Sequence, residues 1–597
     1  MTVTDEPVWA DVHDRRRALA APGLLAAFNL PDLLHAADVH VALRLGELLQ
    51  ETDEEVLLAT ALAVRAVRTG SVCLDLATIS QVPLEADVDL PWPEPTAWVD
   101  RVGRSPLVRE EMVRLVGTRL YLDRYWREEG QVCDDLVARL RRTPPEVDEP
   151  ALDRGVLRVF PREGYDEQRA AARAAASGWT AVLIGGPGTG KTTTVAGVLA
   201  LVAEQHELAT GRSPRIALAA PTGKAAARLQ EAVQEATDEL EDPTDRRRLA
   251  GLQASTLHRL LGWRPDSRVR FRHDRTNRLS FDVVVVDETS MVSLTMMARL
   301  LEAVRGDARL VLVGDPDQLA SVEAGAVLAD LVAGFEGSPH SPVSALLTTH
   351  RFGEHIGALA QALRDGDADA AMAALNAGSE EVELVDPEDE VAMTDFRTRV
   401  VDVALELRRA AEAGDADGAL AALSRHRLLC AHREGPYGVG GWNRLVERLV
   451  AERTGITHYD EWYAGRPILV TANDYDQLLN NGDMGATIRR DEGRLRVVVQ
   501  VGEAVREFAT TRLSGVETVH AMTVHKSQGS QAHTVSVVLP GEDSRLLTRE
   551  LFYTAVTRAQ ERVRVVGSEQ AIRAAIGREV QRASGLRERL VEALAAR

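Results

Sequence analysis

The stretch "VLIGGPGTGKTTT", residues 182–194, decides the fold. It fits G-x-x-x-x-G-K-[ST] with Gly185, Gly190, Lys191 and Thr192. It follows a short apolar run and opens an Ala/Val/Leu-rich helical pattern, the strand–loop–helix context that this phosphate loop requires. Glycines let successive backbone N–H groups converge on phosphate oxygens, and the helix N-terminus adds its positive end. The residues expected to cradle the nucleotide are Gly185, Gly186, Pro187, Gly188, Thr189, Gly190, Lys191, Thr192 and Thr193. Lys191 would reach the β- and γ-phosphates, and the Thr192 hydroxyl would hold Mg²⁺. Lys191 is also one of only three lysines in a chain with 70 Lys and Arg residues. The others, Lys224 in "APTGKAAARL" and Lys526 in "TVHKSQGSQ", lie in similar Gly-, Thr-, Ser- and Gln-rich stretches. GC-rich coding alone would favour arginine. Where lysine survives, a slender point charge suits a closed loop better than a wide planar fork.

Around this loop, short β-branched runs alternate with Ala-rich helical patterns: "TAVLIGG", "RIALAAP", "DVVVVDE" and "ARLVLVGD". Strands that are apolar throughout predict an α/β fold with a parallel sheet covered on both faces. Ligands of such sheets bind at the carboxyl ends of the strands. "FDVVVVDETSM" places Asp287 and Glu288 at one such end. Adjacent carboxylates there are costly unless they meet a cation or a catalytic water. Asp287 is read as a Mg²⁺ ligand and Glu288 as the group that orients or deprotonates attacking water.

The whole composition bounds the rest. A chain of 597 residues predicts about three to four domains. Three widely spaced cysteines fit a reducing cytoplasm and neither a disulfide framework nor a zinc site. The acidic N-terminus does not read as a secretory signal, and no apolar run is long enough to span a bilayer. Net charge is −20, and residues 1–100, with 17 acidic and 6 basic residues, account for 11 of it. That segment is expected to face protein rather than phosphates.

Further stretches follow in order: "ASTLHRLLG", "LVLVGDPDQLASVEAG" with Gln318, "LTTHRF" with Arg351, "TVHKSQGSQ" with Gln528, and "LFYTAVTRAQ" with Arg558. The ordered series over about residues 160–570 resembles the motif set of superfamily 1 DNA helicases, and its wording is similar to the RecD family. The resemblance implies two RecA-like parallel-sheet domains, at 161–344 and at 345–481 plus 518–597. Helical spacing predicts a helical N-terminal domain (1–110), residues 111–160 read as a mostly helical linker broken by "RRTPPEVDEP", and a β-hairpin insert (262–282) and a small SH3-like β-barrel insert (482–517) are expected.

The resemblance also assigns roles. Gln168 would read the adenine of ATP, although taken alone it reads as an exposed helix glutamine. Gln318 would sense the γ-phosphate, and Arg351 and Arg558 would act as arginine fingers with Lys191, Asp287 and Glu288. Pro221, Thr222, Lys224, Thr256, His258, Thr523, His525 and Lys526 would grip the DNA backbone. Trp263, Tyr437, Trp442 and Tyr475 are candidate stacking platforms, each more commonly a packed aromatic. The implied activity is 5′→3′ translocation on single-stranded DNA at duplex ends, with ATP and Mg²⁺. The implied partners are RecB and RecC, docked on the N-terminal domain, with nuclease chemistry in a partner subunit. Two alternatives stay open here: a stand-alone RecD-like helicase, and a non-motor ATPase switch.

Overall fold

In the computed structural model the described residues are 14–81, 89–264, 267–349, 353–457, 460–474, 476–501, 504–580 and 582–596. Six parallel strands form the first sheet, in the order Val343–Leu346, Thr180–Gly185, Arg309–Gly314, Val283–Val286, Ile216–Ala220, Ala254–Thr256. Side chains alternate across it. Val283, Val285, Val311 and Val313 enter one core with Leu152, Ala172, Leu199 and Leu229. Those four come from helices Glu149–Val159, Asp166–Ser177, Lys191–Thr210 and Gly223–Asp238. Val284, Val286, Leu310 and Leu312 enter the opposite core, with Leu136, Met297, Leu331 and Leu590. Each buried side chain of this size contributes roughly 1.5–3 kcal/mol, so a polar substitution in these strands is costly on either face.

This packing moves two expected boundaries. Residues 111–160 are no linker. The hairpin Val113–Val116 and Arg119–Leu122 pairs with Cys73–Asp75 and so closes the N-terminal domain. The helix Asp123–Arg141 then lays Val132, Cys133, Leu136 and Val137 on the first sheet. At the other end, helix Leu586–Ala595 belongs with the first lobe, where Leu586 and Leu590 enter the same core. The segment leading to it ties the parts together: Ala583 O accepts from Val72 N–H at 2.8 Å, and Glu129 receives Gly585 N–H at 2.8 Å and Arg589 Nε at 2.9 Å.

The second lobe is a five-stranded parallel sheet ordered Val382–Val385, Ala559–Val566, Ala532–Val538, His426–Cys430, Ala521–Thr523. The edge strand Val343–Leu346 pairs with Thr180–Gly185, so the first lobe ends a little later than expected. Between the strands of the second lobe runs a five-stranded antiparallel sheet: Ala504–Ala509, Leu495–Val501, Met484–Arg489, Pro467–Val470, Val516–Thr518. It starts earlier than the insert expected at 482–517, and among the described residues no ladder joins its two edge strands into a barrel. The expected hairpin at 262–282 is shorter: Trp263 faces Phe271 and Arg264 faces Ser267. The turn Asp274–Asn277 lies beyond that pairing, closed by Asp274 Oδ1 accepting from the N–H groups of Thr276 and Asn277. Among the described residues no helix is long and apolar enough to cross a membrane.

Candidate nucleotide and DNA site

The phosphate loop follows strand Thr180–Gly185 and opens helix Lys191–Thr210. Gly188 and Gly190 have φ of 84° and 79°, left-handed values that glycine adopts freely. Gly185 is needed for another reason: a Cβ there would lie 2.7 Å from the Leu346 carbonyl oxygen. Lys191 Nζ donates to the carbonyls of Gly185 (2.6 Å) and Gly186 (2.8 Å). Burial lowers its pKa, opposed by the charges of Asp315, Glu288 and Asp287. Thr189 donates to Gly186 O at 2.9 Å, while Thr192 and Thr193 sit half-buried in the first helical turn. Gln168 is not exposed. It is 2% accessible, its Nε2 reaches Thr189 O at 3.4 Å, and its buried Oε1 has no hydrogen-bond partner. An orphaned amide oxygen beside a phosphate loop suits recognition of an amino group.

Asp287 ends strand Val283–Val286, and its N–H donates to Ala219 O at 2.9 Å. Burial first, and then the charge of Glu288, push its carboxyl up to about 6. Glu288 stands at φ 50°, left-handed for a residue with a side chain. Such a conformation costs about 1–3 kcal/mol and persists only where the surroundings impose it. Together they make a half-buried acidic pair beside Lys191, a donor set suited to a cation with the Thr192 hydroxyl.

The second lobe completes this cleft. Gln318, 6% accessible, donates through Nε2 to Asp315 at 3.0 Å and accepts through Oε1 from Arg558 Nη2 at 2.9 Å. Arg558 is itself buried, which lowers its pKa, and its Nε donates to Thr554 O. Leu319 N–H donates to Thr554 Oγ1 at 2.9 Å, and Gln528 Nε2 donates to Leu319 O at 2.9 Å. The segment after strand Arg309–Gly314 is therefore held from the opposite lobe at Gln318 and at both the N–H and the carbonyl of Leu319. Arg351, the other expected finger, lies outside the described residues, as does Tyr475.

The residues expected to grip DNA sit at the other end of the sheets. Thr222, Thr256 and Thr523 follow or end the outer strands, and each caps a helix. Their hydroxyl oxygens accept from Ala225 N–H (3.2 Å), Arg259 N–H (3.2 Å) and Lys526 N–H (3.3 Å). Among the described residues, none of the three hydroxyls is seen donating to another group. Pro221 precedes the first cap, half-buried. His258 packs edge-on to Phe271 at 5.7 Å, and burial lowers the pKa of both His258 and His525. Lys526 pairs with Glu517. Lys224 lines a cavity of about 540 Å³ between the lobes with Arg228, Arg427 and Asp483. Burial, then Arg427, bring its pKa down to about 7. Of the aromatic candidates, Trp263 and Tyr437 are exposed, whereas Trp442 is core, packed edge-on against Phe396.

Three family profiles match: "AAA domain" at residues 168–324, "UvrD-like helicase C-terminal domain" at 518–566, and "RecBCD enzyme subunit RecD, N-terminal domain" at 31–121. The RecBCD enzyme subunit RecD of Mycolicibacterium smegmatis is 61% identical over 569 residues, 95% of this chain and 99% of that protein. The chain belongs to the RecD family. The RecD protein of Mycobacterium tuberculosis strain H37Rv is 58% identical over 96% of this chain and 98% of its own length. The ATP-dependent RecD2 DNA helicase of Deinococcus radiodurans is 32% identical over 81% of this chain but only 60% of its own. A RecD chain with both helicase halves is a DNA helicase and ATPase. The N-terminal match ends at 121, at the end of the hairpin that closes the domain.

Proposed function

We propose that this RecD chain is the 5′→3′ single-stranded DNA motor of a RecBCD-type helicase–nuclease that works on duplex ends. The observation that carries it is the buried Arg558–Gln318 hydrogen bond, which joins the two lobes beside the phosphate loop. In this reading Lys191 leaves the Gly185 and Gly186 carbonyls for the β- and γ-phosphates of ATP. Gln168 turns its free Oε1 to the adenine amino group. Arg558, with Arg351, neutralises charge developing on the transferred phosphoryl. Thr192 and Asp287 would hold Mg²⁺, which neutralises phosphate charge when bound. Glu288, locked in its left-handed conformation, orients the attacking water.

Gln318 senses the terminal phosphate because one amide faces Asp315 and the other atom faces Arg558. When Arg558 turns to phosphate, Gln318 loses its acceptor role, and the Leu319 links to Thr554 and Gln528 must readjust. Gln528 closes the one-turn helix Val524–Ser527 that Thr523 caps, so the same movement reaches the DNA edge. Closure on ATP and reopening on release then shift one gripping edge past the other. The hairpin Trp263–Phe271, with an exposed tryptophan, is the proposed wedge between strands.

Docking to RecB and RecC falls to the N-terminal domain, which is strongly acidic and exposes Leu19, Leu30, Val41 and Leu48. Scattered exposed apolar side chains are ordinary, but these on one small domain fit a covered surface. The test is streptavidin displacement from biotinylated oligo-dT by the chain purified with its cognate RecB and RecC, the RecB motor being inactivated. Displacement from the 3′ end, lost in Lys191→Gln, is expected. Displacement from the 5′ end alone would reverse the direction.

A further inference from the structure

Arg364 lies in the last turn of helix Glu354–Asp365 of the second lobe. Its Nη2 donates to the Tyr553 hydroxyl at 2.9 Å, and that hydroxyl donates to Asp315 Oδ2 at 3.0 Å, the same oxygen that accepts from Gln318. Its Nε lies 3.1 Å from Asp317 Oδ2 in an ion pair, yet is buried and makes no hydrogen bond among the described residues. The guanidinium presses directly on the phosphate loop. A Cβ on Gly186 would stand 2.4 Å from Arg364 Nη2 and 3.0 Å from the tyrosine hydroxyl. On its carbonyl side Gly186 accepts from Lys191. One loop glycine is thus flanked by the ammonium of one lobe and a guanidinium of the other.

The geometry points to Arg364 as a further nucleotide contact, a second-lobe arginine that binds the terminal phosphate of ATP when the lobes close on it, aimed by Tyr553 and Asp315. This rests on the nucleotide-site reading above. The chemistry supports it from three sides. Guanidinium stays charged and offers five donors, of which the Tyr553 hydroxyl and, at 3.5 Å, Gln361 Oε1 occupy one each. Its carboxylate neighbour Asp317 is held by charge without a hydrogen bond, a partner that a phosphate oxygen in line with the N–H groups outcompetes. The Asp317 side chain is 42% exposed, so water can take the place of the arginine when it turns away. The absent side chain at Gly186 is what allows the approach.

The competing role is a strap that only holds helix Arg549–Val556 and the loop together. The two are separated by which nucleotide loses affinity. For Arg364→Ala in the full complex, affinity for ADP–beryllium fluoride, which carries a γ-phosphate mimic, should fall about tenfold or more relative to wild type, with ADP affinity unchanged. Arg364→Lys should recover only part of it, since a point charge does not replace the fork. Equal loss for ADP and the mimic makes Arg364 a strap, and no loss for either removes it from the site; both overturn the inference. Should Arg364→Ala not fold, Arg364→Gln, which keeps the first three carbons of the side chain and removes the charge, carries the same comparison. Failure of the underlying site reading would show separately, as Lys191→Gln binding both nucleotides like wild type.

Discussion

The two ends of the first sheet solve opposite problems with the same strand–turn–helix geometry. At the phosphate-loop end, buried charges answer one another: Lys191, Asp287, Asp315 and Arg558 share one low-dielectric cluster, completed by the second lobe. At the outer strands the capping groups are short and neutral, threonine hydroxyls on helices Gly223–Asp238 and Leu257–Leu261, with the charged Lys224, Arg228, Arg427 and Asp483 set in the cavity beside them. Charge matters where charge develops during reaction, and there preorganisation is worth most. A strand that must be held and released repeatedly is better met by hydroxyls and backbone N–H groups, which position phosphates without reading sequence. The first end should therefore be brittle to substitution and the second tolerant.

The largest break in that contrast is Arg558→Ala. It should lower kcat for DNA-stimulated ATP hydrolysis by about 10³-fold, with nucleotide affinity much less affected, and Arg558→Lys should restore little. The same substitution leaves Gln318 Oε1 buried without its donor, so the chain should also lose on the order of 1 kcal/mol of stability. A tenfold effect or less on kcat would mean that the charge is supplied from elsewhere and that this end is not brittle.

Asp287 sharpens the comparison through pH. Its carboxyl is raised from 3.8 to about 6 in the folded chain, so the folded state holds this proton more tightly than the unfolded one. The stability from this group is complete below pH 4 and is lost as pH rises through 6. Asp287→Asn should thus stabilise the nucleotide-free protein on the order of 2 kcal/mol at pH 7.5 while abolishing turnover. Urea unfolding at pH 7.5 and at pH 4 measures it. A gain that persists unchanged at pH 4 would show that ionisation is not its source.

What the sequence made legible follows the same division. The phosphate loop, the acidic pair and the strand-end threonines announce themselves locally, because each function needs a particular residue at a particular offset from a strand. Gln168 was misread as exposed because burial there comes from the loop folding over the helix. Arg364, Tyr553 and Asp317 carried no motif: their meaning depends on two lobes meeting. The helix Asp123–Arg141 was readable in principle, since Val132, Cys133, Leu136 and Val137 fall at helical spacing, but its other positions are so polar that the stripe passed for a linker. The return of helix Leu586–Ala595 to the first lobe is a matter of topology, with no local sign.

The smallest effect tests the tolerant end. Thr256 does two things with one atom, accepting from Arg259 N–H as a helix cap and offering its proton outward. Thr256→Val removes both, and lost stability of about 1 kcal/mol from the cap would blur the DNA result. Thr256→Asp separates them. Aspartate is as good a cap and its charge suits a helix N-terminus, so the melting temperature should hold or rise. The new charge faces phosphate, so affinity for oligo-dT should fall about tenfold, near 1.4 kcal/mol, and fall less as salt screens it. ATP hydrolysis without DNA should stay as it is, because the phosphate loop lies four strands away across the sheet. If affinity is untouched while stability holds, the grip lies elsewhere, and the outer strands are merely well-capped ends of a sheet.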